Sequence, residues 1–145
     1  MRMLLCPAAL LLVGAAPVGS VTIEVSNVRN AQGQVHANLC PEAQFLKPEC
    51  PYSAKVAARV GTTAVTITGV PAGRYAAQVF HDENVNNKVD RIIFGLPKEG
   101  IGFSNDAPIR MAPPKWADAV FAFPGGAQVI RLKMRYYLGG SGPKG

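Results

Sequence analysis

Reactive side chains are scarce in this sequence. Its 145 residues include two histidines, three cysteines and one tryptophan, and aromatic residues make up 8%. They contain no serine elbow, no Cys-X-X-Cys pair, no three-ligand zinc set and no phosphate-cradling glycine loop, which removes the common nucleophilic, redox and nucleotide-binding chemistries. Charge is thin as well, at 17% of residues, and nine Asp and Glu against 15 Lys and Arg give a formal charge of +6. Internal repeats and long amphipathic helices are lacking, and no apolar run reaches the roughly 20 residues needed to cross a bilayer.

Against these absences stand a hydrophobic fraction of 48%, too high for a disordered chain, and a store of 15 glycines and 12 prolines. So many turn formers in a single domain's length of chain favour short strands over helices.

Arg2 precedes an apolar run from Met3 to Val13 and a stretch of mostly small residues from Gly14 to Ser20. This is the pattern of a secretory signal peptide over residues 1–20, so the protein is expected to be exported, periplasmic or extracellular. Cleavage is expected after Ser20, with Ala16 as the alternative. Cys6 lies too early for a lipoprotein attachment site. Loss of Arg2 leaves a charge of +5, and outside the inner membrane such a surface meets anionic cell-envelope components or anionic polysaccharide rather than nucleic acid, for which no motif is present. Cys40 and Cys50 remain, an even number in an oxidising compartment. They are expected to form a disulfide, and closing so short a loop contributes about 3 kcal/mol.

Val21, Ile23 and Val25 alternate with Thr22, Glu24 and Ser26, the period-2 pattern of a strand with one buried face. Similar patterns run over 35–40, 55–60, 64–68, 75–80, 117–123 and 127–137. Seven short strands parted by turns such as Gly69-Val70-Pro71-Ala72-Gly73 predict a single antiparallel β-sandwich over residues 21–138, with a flexible tail at 139–145. A one-turn helix near Trp116–Ala119, after Pro113-Pro114, competes for the start of the sixth strand. The excursion from Asp82 to about Trp116 is far longer than an ordinary connection, and such segments tend to carry function.

The excursion opens with His81-Asp82-Glu83-Asn84-Val85-Asn86-Asn87-Lys88-Val89-Asp90. Asp82, Asn84, Asn86 and Asp90 fall at relative positions 1, 3, 5 and 9, with Lys88 offering a backbone carbonyl at position 7. That is the oxygen spacing of a calcium loop. Position 12 is Ile93, so completion requires Glu99, Asp106 or water. With only Asp82 and Asp90 anionic, and Glu83 expected to point outward, affinity is expected to be no better than about 0.1–1 mM. The competing reading is that these Asp and Asn side chains merely cap turns. No cofactor is required; calcium is the candidate. Farther on, Gly95, Gly100 and Gly102 either let backbone approach backbone or, the reading preferred, serve as turn residues, and Phe94, Phe103 and Trp116 form a small satellite core under the excursion.

His81-Asp82-Glu83-Asn84 with Asn86 and Asp90, the run from Phe94-Gly95 through Pro97, Glu99-Gly100 and Gly102-Phe103-Ser104-Asn105, and Pro113-Pro114-X-Trp116-X-X-Ala119 together resemble the uncharacterised exported bacterial family catalogued as domain of unknown function 2141. The resemblance covers about Val21 to Tyr137. It implies an exported single-domain sandwich of immunoglobulin-like or transthyretin-like class and brings no activity with it. The chain departs from that pattern at Val85 and Asn87, where Gly is expected, and at Trp116, where Phe is expected.

Three functions compete. The first is a non-catalytic module whose loop is ordered by an ion or by its own hydrogen bonds, with His81, Glu99, Phe103, Asn105 and Trp116 as support. The second is an envelope hydrolase using His81 with Asp82 or Glu99, although neighbours on a strand face opposite ways. The third is an adhesion or polysaccharide-binding module presenting Arg131, Lys133 and Arg135 along one face of the last strand. His36 has nothing near it in sequence to recruit it.

Overall fold

The computed structural model describes residues 16–90 and 97–142. Among the described residues eight strands run in the order β1 (Val18–Val28), β2 (Gln34–Cys40), β3 (Tyr52–Ala57), β4 (Gly61–Pro71), β5 (Gly73–Asp82), β6 (Ile101–Phe103), β7 (Phe121–Phe123) and β8 (Ala127–Lys133). They form a two-sheet β-sandwich: β4-β1-β8 on one side, and β3-β2-β5-β6 with β7 paired to the start of β5 on the other. All pairs are antiparallel except β1 with β8, which run parallel.

Alternation decides what faces inward. Val21, Ile23 and Val25 of β1 and Val65 and Ile67 of β4 meet Val35, Ala37 and Leu39 of β2 and Tyr75, Ala77 and Val79 of β5 in one continuous core. Beyond β8 the chain leaves the first sheet. Met134 N–H donates to the Ser26 carbonyl, and Arg135 then exchanges two backbone bonds with Ile101 of the second sheet. The crossing closes one side of the sandwich, with Leu132 and Met134 buried beneath it.

Several sequence expectations shift. The first strand begins at Val18, and the Pro17 carbonyl already accepts Ala72 N–H. The third strand is earlier than expected, at 52–57, because Tyr52, Ala54 and Val56 are the residues that turn toward the core. Of the competing readings after Pro113-Pro114, the helical turn α1 (Trp116–Ala119) forms, and strand structure starts only at Phe121. Gly100 and Gly102 are not turn residues. Both lie where a Cβ would strike the crossing C-terminal segment: at Gly100 it would meet Tyr136 and Met134, and at Gly102 Leu132. Gly95 and Phe94 lie outside the described residues, as do Ile93, residues 1–15 of the expected signal peptide and residues 143–145 of the expected flexible tail. Residues 139–142 are held by polar contacts: Arg29 donates to the carbonyls of Leu138 and Gly140, and Asn27 to Ser141.

Candidate functional site

The end of β5 sets the site. On this strand odd residues face the core and even ones face the outer surface of the second sheet, so His81 and Asp82 diverge and share no partner. His81 Nε2 donates to the Gln32 carbonyl at 2.7 Å, and its Nδ1 lies 2.9 Å from the Tyr136 hydroxyl. That hydroxyl in turn accepts Arg29 N–H. His81 therefore supports the β1–β2 turn rather than the loop that follows it. The imidazole is fully buried with both nitrogens engaged.

Asp82 faces the other way and is also fully buried. Its two carboxylate oxygens accept the backbone N–H of Asn86 at 3.1 Å and of Asn87 at 2.8 Å. The loop 83–87 is thereby folded over its own first residue. Val85 and Asn87 both adopt left-handed backbone, φ 54° and 61°, the conformation that favours the Gly expected there from the sequence resemblance. Asn84 donates to Asp90 at 2.7 Å, and Asn86 donates to both Asp90 oxygens at 2.9 and 2.8 Å. These hydrogen bonds, Asn84 foremost, hold the Asp90 carboxyl below its ordinary pKa.

Four of the residues singled out by spacing thus converge: Asp82 on the loop backbone, and Asn84 and Asn86 on Asp90. Lys88 N–H joins them by donating to Asn86 Oδ1. Glu83 does not point outward. It reaches back to the β1–β2 turn, where Arg29 pairs with it and Asn30 donates to it at 2.8 Å. Burial works to raise its carboxyl, but the Arg29 and Asn30 bonds and the Arg29 charge outweigh that and hold it low.

Glu99 enters from beyond the loop. It is 5% exposed; one carboxylate oxygen accepts Glu83 N–H at 3.0 Å, and Oε2 is buried with no hydrogen-bond partner among the described residues. Burial raises its pKa; the Asp90 and Asp82 carboxylates raise it further, against backbone N–H groups of Asp90 and Glu83 that lower it. Among the described residues no three His, Cys, Asp or Glu side chains are gathered as a metal site.

His36 has a recruit after all. The register of β2 on β5 stacks its ring on Phe80, centroids 4.5 Å apart, and brings Nε2 within 3.3 Å of Asp82, out of line for a hydrogen bond. Burial lowers the His36 pKa, opposed by Asp82 and assisted by Lys55. The partner lies 46 residues away in sequence, so no local pattern could have signalled the pair.

Farther along the excursion, Phe103 and Trp116 pack edge-on against Phe45, a third ring that the sequence did not suggest, over buried Ala76, Ala107 and Ala119. Asn105 donates to the carbonyls of Asp118 and Val120, tying that stretch to α1. The basic stripe is divided. Arg131 pairs with Glu24 at 2.8 Å, and Arg135 turns onto the carbonyls of Asp106 and Ala107. Lys133 alone of the three has no side-chain partner among the described residues.

A groove of about 350 Å³ crosses the outer face of the second sheet. One wall is Leu46, Lys47 and Pro48 from the loop closed by the Cys40–Cys50 disulfide; the other is Asn87, Lys88 and Val89. Phe80, Ile101 and Phe103 contribute apolar floor, and Asn38 and Gln78 contribute amides. Sequence reasoning missed this groove, because its walls meet only through the pairing of β2 with β5.

The family described as an uncharacterized protein conserved in bacteria, DUF2141, matches the chain over residues 23–131. The chain belongs to the DUF2141 family. That match runs from β1 into β8 and so takes in both sheets, the Asp82–Asp90 loop and the groove. No curated protein and no solved structure matches this DUF2141 chain.

Proposed function

We propose that this protein is a non-catalytic exported module in which the Asp82–Asp90 loop takes up a calcium-type divalent cation. The observation that carries the reading is Glu99: a buried carboxylate oxygen without a hydrogen-bond partner among the described residues, close enough to Asp90 and Asp82 for their charges to raise its pKa, in a protein that is otherwise basic. A divalent cation relieves that repulsion and supplies the missing partner. Rotation of the Asn84 and Asn86 amides about their last bond would turn their oxygens inward beside Asp90. The loop already holds itself by hydrogen bonds, so the ion adds to an existing fold and binds weakly, at about 0.1–1 mM.

The non-catalytic half of the reading is supported by His81, whose ring nitrogens are both occupied inside the core. Export is supported by the N-terminal pattern and by the Cys40–Cys50 bridge, since disulfides persist in oxidising compartments. Because Val18–Ser20 belong to β1 and Gly19 packs against Gly126, processing ahead of Pro17 preserves the strand whole.

The test is thermal unfolding with and without millimolar calcium. A rise in Tm is expected, abolished in Asp90→Asn and in Glu99→Gln, which keep size and shape. An unchanged Tm in the wild type, or an equal rise in both variants, overturns the cation.

A further inference from the structure

We propose that the groove between the two loops binds a small amphipathic anion, an alkyl or aryl body carrying one carboxylate, sulfonate or phosphate. Its volume lies near the lower end of the range of roughly 300–1,000 Å³ usual for ligand sites, which limits the occupant to a small molecule. The floor is apolar where Phe80, Ile101 and Phe103 lie, and a hydrocarbon body gains by covering it. The rim carries one lysine from each loop, Lys47 and Lys88, and among the described residues the lining has no acidic side chain. Among the described residues neither ammonium has an ion-pair partner. A cationic head would meet two like charges, and a neutral one would leave both unused. Only an anion completes the charge pattern.

The walls are built before any ligand arrives. Gln78 on the floor accepts Leu46 N–H at 3.0 Å and donates to the Lys47 carbonyl at 2.8 Å, so the disulfide loop is fastened to β5 directly behind the lysine. Asp82 holds the opposite wall through Asn87 N–H. Leu46 is itself in left-handed backbone, φ 67°, with its side chain 44% exposed over the groove. A large apolar residue kept in that conformation and left facing water is an unfavourable arrangement twice over, and strain of this kind gathers at binding sites. Asp82 and Lys88 belong also to the loop proposed to take up the cation, but none of these contacts involves an ion, so anion binding in calcium-free buffer tests the groove separately from the calcium-dependent Tm.

The test uses 1-anilinonaphthalene-8-sulfonate as a fluorescent probe on the folded protein, with decanoate and decyltrimethylammonium as competitors of matched chain length. Saturable one-site binding is expected, displaced by decanoate with a Kd of about 1 mM or tighter and not by the cation. Lys47→Glu with Lys88→Glu weakens probe and decanoate by about tenfold or more, while Lys133→Glu on the other sheet leaves both unchanged. Circular dichroism checks that each variant is folded. Amide chemical-shift changes on adding decanoate are expected at Asn38, Gln78 and Phe103. Binding that does not saturate, displacement by the cation as strong as by the anion, or an undiminished affinity in the double lysine variant each overturns the proposal.

Discussion

Two loops flank the same groove and are held by opposite means. The loop after β2 is closed covalently, by Cys40–Cys50, and fastened to β5 through Gln78. The loop after β5 has no covalent tie and folds over a buried carboxylate, with Asp82 accepting two backbone N–H groups and Asp90 gathering two asparagine amides. A disulfide keeps its geometry at any pH and any ionic composition, and only reduction releases it. The second loop is held by hydrogen bonds alone, so removing a single acceptor can loosen it, whereas the first is tied by a covalent bond.

The contrast breaks first at the covalent wall. Replacing Cys40 and Cys50 together by Ala should lower stability by about 3 kcal/mol, read from the urea midpoint of the oxidised protein. A loss below about 1 kcal/mol would mean that the Gln78 bonds hold the loop without the bridge. Next comes the polar wall. Asp82→Ala should cost about 2 kcal/mol, because the part-buried N–H groups of Asn86 and Asn87 lose their acceptor; Asp82→Asn, which keeps an acceptor, should cost less. Equal losses in the two variants would show that charge, not capping, holds the loop.

A smaller effect of opposite sign is expected at Val85. A β-branched residue at φ 54° is strained and its side chain is exposed, so Val85→Gly should stabilise the protein by about 0.5–1 kcal/mol after allowance for the greater entropy of glycine in the unfolded chain. A loss on the same substitution would place the Val85 side chain in a contact that outweighs its backbone strain.

The finest effect is on pH dependence. The Glu99 carboxyl is raised in the fold, so its contribution is full below the ordinary value of 4.5 and is lost as pH rises through the folded value. Glu83 is lowered, so its contribution is present above 4.5 and is lost as pH falls through its folded value. Glu99→Gln should therefore remove the decline on the upper side in ion-free buffer, while Glu83→Gln should weaken the gain on the lower side. Chemical unfolding at a series of pH values separates the two slopes, and a profile unchanged by Glu99→Gln would show that its unpartnered oxygen costs nothing.

The legibility of this chain in sequence was uneven for physical reasons. Alternation in Val21-Ile23-Val25 and in Tyr75-Ala77-Val79 reports burial directly, because a strand's side-chain period is a property of the local backbone. The positions of Asp82, Asn84, Asn86 and Asp90 were readable too, since a tight loop gathers residues close in sequence. Glu83 misled, because its partners Arg29 and Asn30 lie on another turn. Gly100 and Gly102 misled for a related reason: their lack of a side chain serves the approach of a strand from the far end of the chain, and a turn reading is the local default.

The sequence by itself determined the sandwich class, the parity that pairs Cys40 with Cys50, and the oxygen spacing of the loop, all of which follow from patterns within a few residues of one another or from simple counting. Only the tertiary structure decided that His81 turns inward and Asp82 outward to meet His36, that Glu99 is buried with one oxygen unpartnered among the described residues, and that Lys47 and Lys88 line one groove with Phe80. Those arrangements depend on the register of β2 against β5 and on the crossing of Met134 and Arg135 between sheets. Register is settled by the packing of the whole core, where a slip of one residue would turn every buried side chain to the wrong face.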